Sequence, residues 1–106
     1  MIIPKNIEEL ANLAEQEGKQ VFFFSAEWCG DCRYIKPFLS EIEAANPEFQ
    51  FVLVDRDEYL EVAQEWNVFG IPSLVVLEKG KEIGRFVNRE RKTKQEINDF
   101  LANMRG

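Results

Sequence analysis

Four consecutive apolar residues, Val21-Phe22-Phe23-Phe24, run almost directly into Trp28-Cys29-Gly30-Asp31-Cys32, and the stretch from Arg33 to Ala45 has helical apolar spacing. A continuous apolar run of this length predicts a strand covered on both faces, which calls for layers above and below it. The junction also carries the chain's only two cysteines, with two residues between them. A dithiol where a strand turns into a helix is a redox signal.

Composition narrows the alternatives. The 106 residues suffice for one small domain (1–106) with a single core. With 45% hydrophobic and 30% charged residues, the chain suits a soluble globular fold. Its longest apolar run is far below the ~20 residues that span a bilayer, and Met1-Ile2-Ile3-Pro4 lacks the features of a secretory leader, so no membrane partner and a cytoplasmic location are expected. A net charge of −6 argues against nucleic acid. The basic cluster Arg89 to Lys94 reads as a solvated approach to the last helix. There is no histidine, which removes Cys–His catalysis and most zinc sites, and no metal is expected.

The element order follows from periodicity and caps. Asn6 to Glu9 has capping-box spacing, with Ile7, Leu10, Leu13 and Ala14 behind it and Gly18 as the stop. Val21–Ser25 is the first long strand. A helix from about Asp31 to Ala45 carries a kink at Pro37, Phe49–Asp55 is a second central strand, and Tyr59–Trp66 is a short helix. Ser73–Glu78 and Glu82–Asn88 form a hairpin through Lys79-Gly80-Lys81, and Thr93 to Glu96 caps a last helix with Ile97, Phe100, Leu101 and Met104 facing inward. A very short strand precedes the first helix. The expected fold is α/β, a central mixed sheet of four to five strands flanked by four helices.

Residues three apart at the start of a helix lie close enough for Cys29 and Cys32 to open and close a disulfide with little backbone movement. Unpaired N–H groups of the first turn favour a thiolate there, so Cys29 is expected as the exposed nucleophile and Cys32 as the resolving thiol. A purely structural disulfide is weak by comparison, since closing so short a loop contributes only about 2 kcal/mol. Half of a zinc site would need a second ligand pair from another chain.

Ala26-Glu27-Trp28-Cys29-Gly30, with Pro37 at the kink and Phe69-Gly70-Ile71-Pro72-Ser73 as a second signature, resembles the thioredoxin family over nearly the whole chain. The resemblance implies a thioredoxin-like fold, a cis Pro72 facing the dithiol, and a shallow rim of Trp28, Gly30, Ile71 and Pro72 on which an extended substrate lies. It also implies disulfide-containing protein substrates, a flavin-containing thioredoxin reductase as electron source, no bound cofactor, and a monomer. Two readings stand beside protein-disulfide reduction: a dedicated donor to one partner, and a non-enzymatic binding module that uses the Trp28/Pro72 surface.

Three departures from the family pattern matter. Asp31 stands where proline is usual; its charge suits a helix's first turn but opposes a neighbouring thiolate, with Arg33 placed to offset part of that. Phe23 occupies the position of a buried aspartate behind the dithiol, and that aspartate's lysine partner is expected to be replaced by Phe51. Losing both charges together avoids leaving one of them buried alone. The proton of Cys32 is then left to Asp31 or to ordered water. Asn88 falls where a groove glycine is common, so a side chain is expected to narrow the groove.

Overall fold

The computed structural model of the chain describes residues 1–105. Strands β1 (Lys19–Ser25), β2 (Phe49–Asp55), β3 (Ser73–Glu78) and β4 (Lys81–Phe86) form one mixed sheet in the order β2-β1-β3-β4. β1 pairs parallel with β2 and antiparallel with β3, which pairs antiparallel with β4. β2 is therefore an outer strand rather than a central one. Its free edge is partly covered: Ile2 bridges it in parallel at Val52, exchanging backbone hydrogen bonds of 2.8 Å with Phe51 and Leu53. This bridge is the short first strand.

Successive side chains of a strand point to opposite faces, so the phenylalanine run feeds two cores at once. Phe22 and Phe24 face α1 (Ile7–Glu15) and α4 (Leu60–Glu65), meeting Leu10, Leu13, Val62 and Ala63. Trp66 closes this side edge-on against both rings, at 5.2 and 5.8 Å between centroids. Val21 and Phe23 face the other way, toward α2 (Gly30–Ile35), α3 (Leu39–Ala45) and α5 (Lys94–Ala102), where Ile35, Ile42, Ile97 and Leu101 are buried.

The helix expected over 31–45 is one bent element. Pro37 has no N–H to give, and a 3-10 turn over Lys36–Phe38 joins α2 to α3. α1 ends at Glu15, earlier than Gly18; Gly18 takes φ +84 and turns the chain into β1. The hairpin turn places Lys79 and Gly80 at φ +53 and +82, the two left-handed positions of a tight two-residue connection. β4 leaves the ladder at Phe86, two residues short of Asn88. The capping box at Thr93 is complete in both directions. No helix of the described residues is long and apolar enough to cross a membrane.

Candidate active site

β1 delivers the chain to Ser25, and Ala26 to Trp28 turn it into α2. Cys29 is the N-cap of α2 rather than a residue inside it. Its sulfur turns inward and accepts the Cys32 backbone N–H at 3.2 Å, so the thiol expected to be exposed is instead enclosed, at 8% exposure. On its other side the Cys29 thiol lies 3.9 Å from the carbonyl oxygen of Ile71, toward which it donates. The Ile71–Pro72 peptide bond is cis. Both cysteines are free thiols.

Cys32 lies one turn in and is almost fully buried. Burial, reinforced by the hydrogen bond with the Cys29 side chain, pushes its thiol up to about 11, while the Ala26 backbone and the Ser25 hydroxyl pull the other way. A cleft of about 300 Å³ opens beside it, lined by Phe23, Ser25, Leu53 and Asp55 among others. Phe23 pairs across the parallel register with Leu53; Phe51 pairs with Val21. Phe51, expected in the place of the lysine partner, lies on the same face of β2 one pair along from Leu53, which stands directly beside Phe23 behind Cys32.

The second cleft, of about 420 Å³, lies on the outer side of Cys29 between Trp28, Gly30, Asp31, Arg56, Phe69, Gly70, Ile71 and Arg89. Trp28 is 59% exposed and held in place: its indole N–H donates to Asp57 at 2.6 Å, and Arg56 lies 5.3 Å from its ring centre. Phe69 is 67% exposed. Gly70 is needed for packing, because a Cβ there would strike the backbone carbonyl of Asn88 and the stem of Arg89. A larger depression of about 480 Å³ sits at the opposite end of β1 and β2, away from the cysteines.

The segment from Asn88 to Lys92 packs back on the site. Arg91 pairs with Asp31 at 3.0 Å and lies 4.1 Å over the Tyr34 ring. Arg33, expected to offset Asp31, donates instead to the Glu27 carbonyl. Nor is the basic cluster simply a solvated approach. Lys92 is fully buried, its Nζ bonded to Asn88 Oδ1 at 2.8 Å and the Glu90 carbonyl at 2.9 Å, with the Phe86 ring 4.9 Å away. Burial lowers its pKa, against the pull of nearby Glu96, Cys32, Glu90 and Asp31. The Asn88 side chain is occupied by Lys92 and by the Glu90 N–H rather than by the groove. Its carbonyl accepts the Ser73 hydroxyl at 3.3 Å, tying the segment to the Pro72 loop.

Sequence reading brought out Cys29, Gly30, Asp31, Cys32, Trp28, Ile71 and Pro72, which the fold brings together, with Phe23 behind them. It missed Arg56, Asp57, Phe69, Arg91 and Lys92 as parts of the site. Of these only Phe69 carried a local signal, a large apolar residue within a Gly-Ile-Pro loop.

A paired thiol and resolving thiol at a helix start, opposite a proline loop, is machinery for exchanging disulfides. The fold and this dithiol define the class, a thiol–disulfide oxidoreductase. Known proteins agree. The thioredoxin family profile matches residues 4–103, and the chain belongs to the thioredoxin family. It is 37% identical to a thioredoxin H-type of Ricinus communis over 90% of this chain and 78% of that protein. It is 39% identical to mitochondrial thioredoxin-2 of Schizosaccharomyces pombe over 66% of this chain, a match that spans about half (53%) of that relative. Among solved structures, oxidised mitochondrial thioredoxin 3 of Saccharomyces cerevisiae superposes with a TM-score of 0.83 at 29% identity, covering 97% of this chain and 94% of that one.

Proposed function

We propose that this chain acts as a single domain that reduces disulfides in proteins. The observation that carries the reading is the placement of the Cys29 sulfur, between the Cys32 N–H and the Ile71 carbonyl, at the floor of an open cleft. The N–H favours negative charge on that sulfur, and the cleft admits an extended segment alongside Ile71. The Cys29 thiolate attacks one sulfur of a substrate disulfide; a Cys29–substrate disulfide forms and the other substrate sulfur leaves as a thiolate. Cys32 then loses its proton and attacks Cys29, forming the Cys29–Cys32 disulfide and freeing the second substrate thiolate. Both substrate thiolates take protons from solvent.

The proton of Cys32 leaves by the inner cleft, which Ser25 and Asp55 line. Phe23 and Leu53 supply no acceptor there, and Asp31 is held on the outer side by Arg91. Trp28, Ile71 and Pro72 seat the substrate, Gly30 leaves room for it, and Asn88 acts from behind by holding the Gly70–Ser73 loop. A reductase of this kind needs a reducing compartment, so we assign it to the cytoplasm as a monomer recycled by a flavoprotein thioredoxin reductase.

The test is insulin disulfide reduction, first with dithiothreitol and then with a thioredoxin reductase and NADPH. Activity in the first assay that disappears in Cys29→Ser supports the reading. Silence of the wild type in both assays overturns it.

A further inference from the structure

The outer cleft has a charge pattern that the exchange chemistry does not use. Two carboxylates lie at or beside it, and both are engaged. Asp31 is held by Arg91, and Asp57 takes the Trp28 N–H and the Arg56 Nε–H at 3.1 Å. The cations are less fully matched. Arg56 spends only its Nε on Asp57, and its terminal nitrogens make no hydrogen bond among the described residues. Arg89 makes no ion pair among the described residues, while its stem lies directly over Gly70, next to the Ile71 backbone. Two arginines with open N–H donors therefore line a cleft that the exposed Trp28 and Phe69 also line. All this occurs on a chain whose net charge is −6.

We propose that the preferred substrate is an extended protein segment in which carboxylate side chains flank the reactive cysteine, read by Arg89 and Arg56. The proposal rests on the disulfide-reductase reading and adds the substrate's chemistry to it. With the substrate cysteine over Cys29, residues on either side of it are carried along the cleft at about 3.3 Å per position. That brings their side chains to the arginines at its margins. A guanidinium accepts a carboxylate in bidentate fashion, and the neighbouring rings leave fewer waters to compete. The overall negative charge slows the approach of acidic partners generally, so discrimination resides in the docked complex and weakens with salt.

The test compares two disulfide-linked peptides that differ only in having Asp or Lys on each side of the cysteine. Each rate with the pre-reduced protein is divided by the rate with dithiothreitol, which removes intrinsic differences in disulfide reactivity. The wild type is expected to favour the Asp peptide about two- to fivefold, as one exposed charge pair is worth. Arg89→Glu should bring that ratio to one or below, Arg89→Lys should keep most of it, and high salt should compress it. A wild-type ratio at or below one overturns the proposal, as does an unchanged ratio in Arg89→Glu. Reduction of neither peptide would instead strike at the reductase reading itself.

Discussion

Asp31 and Arg91 form a charge pair at the dithiol, and separating them should move Cys29 in opposite directions. Asp31 follows Cys29 by two residues, which in a helix's first turn is about 6–7 Å from sulfur to carboxylate. With an effective dielectric of about 40–80 at this half-open site, the repulsion between carboxylate and thiolate is about 0.6–1.3 kcal/mol. Arg91, 3.0 Å from the carboxylate, returns about half of that if its charge sits about 12 Å from the sulfur. The two side chains are 38% and 55% exposed, so salt screens both effects. Arg91→Gln should therefore slow alkylation of Cys29 by iodoacetamide at neutral pH about two- to threefold, and Asp31→Asn should speed it about three- to ninefold. The alkylation rate of the reduced protein reads this directly, because Cys32, pushed up to about 11, stays protonated there. Both changes should shrink toward nothing in about 1 M salt, where the screening length is near 3 Å. An Arg91→Gln protein alkylated at an unchanged or faster rate would refute the reasoning, and so would an effect that survives high salt.

The burial of Cys32 sets two pH dependences. Release from a Cys29–substrate disulfide, followed in single turnover, should accelerate about tenfold per pH unit through the neutral and mildly alkaline range, since only the Cys32 thiolate attacks; a flat profile would remove deprotonation as the limiting event. Folding stability runs the other way. The folded thiol holds its proton to about 11 against 9.0 for the free group, so its contribution is complete below about pH 9 and is lost as pH rises through 11, measurable as falling urea midpoints. Phe23→Asp puts a carboxylate beside Leu53 with no cation to meet it, and should cost about 3 kcal/mol or more by denaturant unfolding, part of which Leu53→Lys restores. Gly70→Ala drives a Cβ into the Asn88 carbonyl and should destabilise by about 1–3 kcal/mol with loss of reductase rate, whereas Gly30→Ala meets no atom within 4 Å and should leave folding stability unchanged or slightly raised in denaturant unfolding. Lys92→Ala empties the space over Phe86 and should cost about 2–4 kcal/mol, while Lys92→Met, which keeps the stem and drops the buried charge, should stay within about 1.5 kcal/mol of the wild type.

What could be read before folding was local, and what could not was a matter of register and closure. The strand run, the dithiol and the proline loop each announce themselves within five residues of sequence. Phe49, Phe51 and Leu53 are equally visible as one face of β2, because side chains alternate. Which of them stands beside Phe23 depends on where β1 and β2 begin relative to each other, and a shift of two residues leaves the apolar pattern intact. Parity is written in the pattern; register is not. The partner of Asp31 posed a harder problem of the same kind. Arg33 is the near neighbour, but the guanidinium that reaches it comes from sixty residues away. That meeting is arranged by the sheet order: β4 runs beside β3, and the chain leaving it at Phe86 must cross to α5 past the start of α2. The crossing also hides Lys92, a residue type that composition alone assigns to the surface. Its ammonium is accommodated because three groups that the crossing itself brings together, the Asn88 amide oxygen, the Glu90 carbonyl and the Phe86 ring, converge on it. The reacting sulfurs are thus fixed by local sequence, while the charges that tune them are fixed by topology. A substitution between Asn88 and Lys92 should therefore alter the dithiol's reactivity without touching either cysteine.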